Sequence, residues 1–159
     1  MAKLGLRMNL RNQGLSQYQG YDFDSMLEFN GKPLGFGPGG IYQLFTGDND
    51  NGKLIQAMFD LPLTNMGTSR NKWLRSLYLS LSANGKVRIT VTDDEHNSHS
   101  YLAVPQRVDK QHTVRINGGR NFNKGCFYSY RVENVEGSDF DIDTMQVVPV
   151  MSNRNTGKF

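Results

Sequence analysis

Two acidic segments of this 159-residue chain have residue types that could bind calcium. In GDNDNG at 47–52, Asp48 and Asp50 have the two-residue spacing of a calcium loop. An EF-hand-type loop starting at Asp48 would need Gly at its sixth place and Glu at its twelfth, where this chain has Lys53 and Phe59. We therefore interpret this segment as a solvated hairpin loop.

The second acidic segment is SDFDID, whose alternating Asp139, Asp141 and Asp143 would project from one face of a strand. There they could pair with basic residues of a neighbouring strand or subunit. Calcium held by carboxylates from both loops is the alternative. The expected reading is an acidic strand face without a metal.

The histidines suggest zinc only weakly. His96 and His99 lie in DDEHNSH and His112 lies further along, but zinc needs further converging ligands on rigid elements, and this segment predicts a flexible hairpin turn. No serine lies in a GxSxG elbow, and paired carboxylates for glycoside hydrolysis cannot be selected from spacing alone. We predict no catalytic residue, no metal, no cofactor and no enzyme activity.

The glycine-rich GFGPGG at 35–40 superficially resembles a phosphate loop, but no Lys-Ser or Lys-Thr follows it and Pro38 removes a donor. It predicts a tight turn between strands. Cys126 is the only cysteine, so the chain forms no internal disulfide, and its neighbours favour a small buried hydrophobe over a nucleophile. Tyr128 and Tyr130 are expected in the core; the alternative is a ligand platform for sugar rings or unstacked bases.

Positive charge is concentrated at the two ends of the chain. Residues 1–20 carry Lys3, Arg7 and Arg11 without an acid, and the last eight residues carry Arg154 and Lys158. The first segment also alternates Leu4, Leu6, Met8 and Leu10, which predicts a short strand leading into an open linker. Such an arm could pair with its own domain or add to the edge of a neighbouring subunit. The last segment, ending in Phe159, predicts a flexible tail with contact residues Arg154, Lys158 and Phe159.

Apolar residues elsewhere recur with a period of two between Gly, Asn and Asp clusters, which is typical of antiparallel strands and turns. Besides two strands in WLRSLYLSLSANGKVRITVTDD, we predict strands at 25–29, 41–45, 54–63, 101–104, 113–117, 127–134 and 142–150. The segments NGKPLGFGPGG, TGDNDNG, INGGRNFNKG and VEGSD are interpreted as loops.

The two strands around Asn84 predict a hairpin. Matching their apolar faces pairs Leu81 with Val87 and Leu79 with Ile89, which leaves Ala83-Asn84-Gly85 as the loop, with Gly85 in a left-handed conformation.

These observations predict an all-β fold with three parts. Residues 1–20 form an extended basic N-terminal arm, and residues 152–159 form a short flexible C-terminal tail. Residues 21–151 form an antiparallel β-sandwich of about eight or nine strands, jelly-roll-like or carbohydrate-module-like. We expect no signal peptide and no membrane insertion, because no apolar run approaches the length that either requires.

The order of three segments resembles small structural, tail-associated virion proteins of tailed bacteriophages. These segments are MLEFNGKPLGFGPGGIYQLFTGDNDNG, the basic SRNKWLRSLYLSL before a predicted β-hairpin, and FYSYRVENVEGSDFDIDTMQVVPV. The resemblance covers residues 21–150 and departs at KGCFYSYRV, where a glycine-arginine-aromatic stretch is expected.

The resemblance implies a virion protein, made in the bacterial host cytoplasm, that works by subunit–subunit assembly in the tail or its attachment to the head. Its partners would be other virion proteins and copies of itself in a symmetric assembly, with nucleic acid not expected. The alternatives are a capsid decoration protein and a carbohydrate-binding adhesion module that recognises a host-surface glycan.

Overall fold

The computed structural model of the chain describes residues 4–47, 49–118 and 124–152. Throughout these ranges the regular structure is β-strand, arranged in several antiparallel sheets. The predicted all-β class is confirmed. The described ranges include no helix long and apolar enough to cross a membrane.

The chain divides into two compact units, Met1–Gly47 and Asp48–Phe159, which we call unit 1 and unit 2. Unit 1 therefore continues well beyond the predicted arm of residues 1–20. Its five strands are β1 (Gly5–Met8), β2 (Leu15–Tyr18), β3 (Ser25–Phe29), β4 (Lys32–Gly37) and β5 (Gly40–Gln43).

Unit 1 contains a hairpin and a three-stranded sheet. The hairpin pairs β1 with β2, and the sheet has the order β3-β4-β5. Asn30 and Gly31, with φ of 52° and 74°, form the two-residue turn that joins β3 to β4, as expected for a type I′ hairpin. The tight turn predicted in GFGPGG is confirmed, since Gly37 pairs with Gly40 across Pro38 and Gly39.

Two sequence-based interpretations of unit 1 were wrong. The segment KPLGFG was interpreted as loop because of its Pro and Gly, but it is β4, the central strand. The open linker predicted after the first strand is β2, so the arm folds back on itself as a hairpin with Gly5 opposite Tyr18.

In its described residues, unit 2 has nine strands in two larger sheets and a small ladder. One sheet has the order β11-β10-β13-β8, the other has the order β12-β9-β14, and β6 pairs with β7. The strands are β6 (Asn49–Asp50), β7 (Lys53–Leu54), β8 (Met58–Thr64), β9 (Lys72–Ala83), β10 (Val87–Asp93), β11 (Ser98–Ala103), β12 (His112–Asn117), β13 (Tyr128–Asn134) and β14 (Phe140–Met151). The hairpin loop predicted at GDNDNG is confirmed by this β6–β7 pairing, with Asn51 and Gly52 at positive φ.

A single apolar core is built from the inward residues of both larger sheets. It takes every second residue of β10, most of the apolar side chains of β9, and the aromatic residues of β13. Its buried members are Leu74, Leu77, Leu79, Leu81, Ala83, Val87, Ile89, Val91, Ala103, Ile116, Tyr128, Tyr130 and Val132. The alternation in β10 and from Leu77 onward in β9 is thus explained by one buried face and one outer face.

The hairpin predicted around Asn84 is wrong. Strand β9 pairs with β12 and β14, whereas β10 pairs with β11 and β13, so consecutive strands enter different sheets. The physical reason is that two matching apolar faces can be buried either side by side in one sheet or across a core. Gly85 is not in the left-handed region; a Cβ there would lie 2.6 Å from the Cβ of Ser138, so close approach is what requires glycine.

The outer face of the β11-β10-β13-β8 sheet is lined with paired polar side chains. Thr90 meets Ser100 at 2.9 Å, and Thr92 meets Ser98 at 2.8 Å. Further along the same face Arg131 and Asp60 form a two-point ion pair, with both nitrogen–oxygen distances below 3 Å. Hydrogen bonding from the Arg131 guanidinium lowers the pKa of the Asp60 carboxyl. Such cross-strand polar pairs suit a face in contact with water.

Candidate assembly surface

The segment between β2 and β3 joins the hairpin of unit 1 to its sheet. The ring of Tyr21 lies so close to Gly5 that a Cβ there would be 2.7 Å from ring carbons. The ring of Phe23 covers Gly35 in the same way, also at 2.7 Å. Tyr21 and Phe23 touch edge to face at 5.0 Å between centroids. Two glycines therefore make room for the two rings that connect hairpin and sheet.

Five aromatic rings form a continuous cluster in unit 1. Tyr18 contacts Tyr21 and Phe45, each at 5.8 Å between centroids, and Phe23 contacts Tyr42 at 5.8 Å. Burial within this cluster raises the pKa of the Tyr21 hydroxyl, with a smaller contribution from Tyr18. The cluster holds unit 1 together through ring contacts rather than through a buried aliphatic core.

Arg7 is placed over this cluster by strand β1. Its guanidinium carbon lies 4.5 Å from the centroid of the Phe45 ring, within the range of a cation–π interaction. Arg7 also borders an open cleft of about 380 Å³, together with Glu28 of β3. The rest of the lining is mainly apolar: Leu6, Tyr18, Tyr21, Met26, Leu27, Pro33, Leu34, Leu44 and Phe45.

Unit 1 exposes most of its large apolar side chains. Among residues 4–47, Leu44 is the only apolar side chain that is buried. Ten others are between 47% and 85% exposed: Leu4, Leu6, Met8, Leu10, Leu15, Met26, Leu27, Phe29, Ile41 and Phe45. We call these ten side chains the exposed apolar set. Large exposed apolar areas of this kind are typical of contact sites.

The residues predicted for the assembly arm take part in this surface. Leu6, Arg7 and Met8 lie on β1, Leu4 precedes it, and Leu10 and Arg11 lie in the loop that joins β1 to β2. All six are exposed. Lys3 lies outside the described residues, as do the C-terminal candidates Arg154, Lys158 and Phe159.

Ser152 is the first residue of the predicted C-terminal tail and the last residue described. It is buried, and its N–H donates to the backbone oxygen of Asn71 at 2.9 Å. The described part of that tail is therefore anchored to unit 2.

The alternative of a ligand platform at Tyr128 and Tyr130 is wrong. Both side chains lie in the core of unit 2, 1% and 3% exposed. Their positions alternate inward with Val132, so neither ring presents a face to a ligand at the surface. The preferred expectation, that both are core residues, is confirmed.

The acidic and histidine segments are positioned by turns and strand faces. Asp93 ends β10, and its carboxylate accepts hydrogen bonds from the N–H groups of Glu95 and Asn97, which orders the turn that contains His96. Asp141 and Asp143 are exposed on β14. Across the described ranges, no group of three or more His, Cys, Asp or Glu side chains is placed to hold a metal ion. Asp48 lies outside these ranges.

Lys72 is a buried lysine whose burial no sequence pattern indicated. It is fully buried at the start of β9, and its ammonium donates to the backbone oxygens of Thr68 (2.9 Å), Arg70 (3.1 Å) and Cys126 (2.6 Å). All three donors of the ammonium are thereby used. Lys72 thus ties the segment before β9 to the segment before β13. Its place in a run of basic residues gave no signal of burial.

Cys126 and Tyr128 complete the contacts around this lysine. The Cys126 thiol donates to the Asn71 side-chain oxygen at 3.1 Å. The Tyr128 hydroxyl donates to the Lys72 backbone oxygen at 2.6 Å and accepts from the Gly125 N–H at 2.8 Å. Because the polar groups bind each other and the backbone, this cluster has the character of a structural clamp.

Comparison of the chain with protein-family models, with curated proteins and with solved structures gives no match.

Proposed function

We propose that this chain is a non-enzymatic structural component of a bacteriophage virion, in the tail or its attachment to the head, that works by subunit–subunit assembly. The observation that carries the proposal is the exposed apolar set of unit 1. Unit 1 has 47 residues, and its described part, residues 4–47, has one buried apolar side chain. A core this small supplies little stability, and natural units of this size commonly gain it from oligomerisation or another staple.

The size of the exposed surface supports this proposal. One partner contributes roughly 800 Å² to a standard protein interface. Ten large apolar side chains, each between 47% and 85% exposed, offer a substantial part of such an area. Aromatic residues, Met and Arg are enriched in interfaces. The exposed apolar set includes Phe29, Phe45 and Met26, and Arg7 lies over the Phe45 ring. The segment order that resembles tail-associated virion proteins supplies the class of assembly.

For unit 2 we propose a β-sandwich, in the jelly-roll-like or carbohydrate-module-like class. Support comes from the order of its two larger sheets, of four and three strands, and from the single core that their inward residues share. In this proposal unit 2 is the stable body of the subunit, and unit 1 makes the contacts. The adhesion alternative loses its sugar platform, because the two tyrosines proposed for it are buried.

The test is to locate the chain in particles of the phage that encodes it. Mass spectrometry of purified particles should detect the chain in stoichiometric amounts, and cryo-EM should place it in the tail or at the head–tail junction. Density on the outer capsid surface would favour the decoration alternative instead. Absence of the chain from purified particles would overturn the proposal.

A matched pair of variants tests the contact surface itself. Leu6→Glu puts a charge into the exposed apolar set, and we expect incorporation into particles to fall at least about ten-fold with unchanged thermal stability. Gln56→Glu is the control, because Gln56 is exposed in unit 2, outside the exposed apolar set. Equal incorporation of both variants would show that the apolar set is not the assembly contact. Deletion of residues 1–20 should abolish incorporation altogether.

A further inference from the structure

Strand β3 has one paired edge and one unpaired edge. Within the described part of the chain it pairs with β4 alone, with Leu27 opposite Leu34 and Glu28 opposite Pro33. The Pro33 carbonyl accepts from the Leu44 N–H at 2.9 Å and so points away from β3, and proline has no N–H. Glu28 and Pro33 therefore form a non-hydrogen-bonded pair. Pairs of the two kinds alternate along an antiparallel ladder, so Met26 and Gly35 form another. The N–H and C=O groups of Met26 and Glu28 therefore point away from β4.

This free edge lacks the features that natural proteins use to block strand addition. The β3 segment, SMLEF, contains no Pro, Lys or Arg, its register with β4 has no bulge, and all five side chains are exposed. Glu28 is its only charged residue. An apolar edge of this kind is a template for pairing with another strand.

We propose that the β3 edge pairs antiparallel with β3 of a second copy of this chain, around a two-fold axis at Leu27. The outward groups of Met26 and Glu28 lie symmetrically about Leu27, so Met26 meets Glu28 of the partner subunit, and Glu28 meets Met26 of the partner subunit. Each of these pairs exchanges two hydrogen bonds, four in all. The two Leu27 side chains then face each other as a non-hydrogen-bonded pair.

The side chains favour a second copy over another strand. Leu27 and Leu34 are directly opposite and share one face of the sheet, and Phe36 and Ile41 are directly opposite on the same face. Two-fold pairing joins these apolar pairs of both copies on one face of a six-stranded sheet. The contact is isologous, so one surface serves both partners. A five-residue edge is short for an interface, and we expect a weak dimer.

This inference rests on the proposed assembly function and specifies one contact within it. In the proposed dimer the Leu27 Cα atoms lie roughly 4.5 Å apart, as in other non-hydrogen-bonded antiparallel pairs. This distance is within the range that a disulfide bridges, about 4.4 to 6.8 Å. A cysteine at position 27 therefore reports the two-fold axis directly.

The experiment uses the full chain in a Cys126→Ser background, to which Leu27→Cys is added. Under mild oxidation, non-reducing gel electrophoresis should show a covalent dimer. The controls are Ser25→Cys and Phe29→Cys in the same background, since in this register residue 25 faces residue 29 of the partner subunit. We expect the position 27 cysteine to link at least about ten-fold faster than either control. Equal rates at all three positions, or no dimer at position 27, would overturn the inference.

A second variant removes the outward N–H group without touching the β3–β4 ladder. Glu28→Pro in the Leu27→Cys background should lower the cross-linking rate at least about ten-fold, with an unchanged circular dichroism spectrum. Glu28→Gln keeps the N–H and should cross-link like its parent. If Glu28→Pro folds and still cross-links at the parental rate, the proposed register is wrong; if it does not fold, the three cysteine positions decide.

The two proposals fail separately. A chain that is present in particles but does not cross-link at position 27 overturns the β3 contact and leaves the assembly function standing. A chain that cross-links at position 27 but is absent from particles overturns the virion function and leaves the β3 contact standing.

Discussion

The buried ammonium of Lys72 donates a hydrogen bond of 2.6 Å to the backbone oxygen of Cys126, a residue 54 positions further along the chain. Together with its bonds to Thr68 and Arg70, this contact places a cation at the end of the core without a carboxylate among the hydrogen-bond acceptors of its ammonium. Carbonyl oxygens that lose such a donor inside a protein stay desolvated and unpaired.

We therefore expect Lys72→Met to destabilise unit 2. The unbranched apolar side chain of methionine fills most of the space, but three backbone oxygens lose their donor, at a cost on the order of 2 to 4 kcal/mol in the free energy of unfolding. Urea denaturation followed by fluorescence measures the change. Lys86→Met is the control at an exposed lysine and should stay within about 0.5 kcal/mol of the parent. Similar stabilities for the two variants would contradict the clamp.

The two buried tyrosines of β13 should respond differently to loss of their hydroxyl groups. Tyr128 uses its hydroxyl twice, whereas the buried Tyr130 hydroxyl has no hydrogen-bond partner among the described residues. Tyr128→Phe should lower the free energy of unfolding by roughly 1 to 3 kcal/mol, and Tyr130→Phe should leave it unchanged or raise it by about 1 kcal/mol. Thermal melts of both variants give the sign of each change in stability. Destabilisation by Tyr130→Phe would contradict the prediction and reveal a hydrogen-bond partner for the Tyr130 hydroxyl.

The same pair predicts how stability depends on alkaline pH. Burial raises the pKa of Tyr128 to about 12 and raises that of Tyr130 further. In the unfolded chain both tyrosines begin to lose their proton near pH 10, whereas in the folded state they still keep it at that pH. Their contribution to the free energy of unfolding is therefore complete below about pH 10. It is lost as pH rises through the folded-state pKa values, by at most about 1.4 kcal/mol per pH unit for each group.

The free energy of unfolding is measured by urea denaturation at several pH values from pH 8 to about pH 12, the folded-state pKa of Tyr128. The Tyr128→Phe and Tyr130→Phe double variant should lose less stability than the parent over the same range. An identical alkaline loss in both proteins would mean that other groups cause it.

The sequence predicted what period and turn chemistry determine locally, and it failed where the choice was between distant partners. The Asn-Gly turn at 51–52 and the turn across Pro38 were recognisable because few residues adopt these backbone conformations. The inward alternation of Leu77, Leu79 and Leu81 was also recognisable. The same alternation suits a strand paired with β10 and a strand facing β10 across the core, so the separation of β9 and β10 into two sheets could not be read from it.

The candidate site shows the same division. Apolar alternation identified β1. It could not show that the apolar side chains from Leu4 to Phe45 are mostly exposed, because exposure depends on which other elements pack against them. Burial of Lys72 depends on three carbonyl oxygens, one of them far away in the sequence. These properties belong to tertiary contacts, which composition and spacing do not encode.

Gly35 offers a test of unit 1 that leaves the core of unit 2 untouched. A Cβ at this position would lie 2.7 Å from the ring of Phe23, so Gly35→Ala must displace that ring from the sheet. Phe23 contacts Tyr21 and Tyr42, and its displacement opens the aromatic cluster. Overpacking of this kind costs about 1 to 3 kcal/mol, which is a large share of the free energy of unfolding of a small unit.

We expect hydrogen exchange of the β3, β4 and β5 amides to accelerate at least about ten-fold in Gly35→Ala, while β9 and β10 keep their protection. Gly14→Ala is the control, because a Cβ there would meet only the exposed side chain of Asn12. Faster exchange throughout both units would show that unit 1 supports the core of unit 2. Unchanged exchange in β3–β5 would show that the Phe23 ring does not hold the sheet.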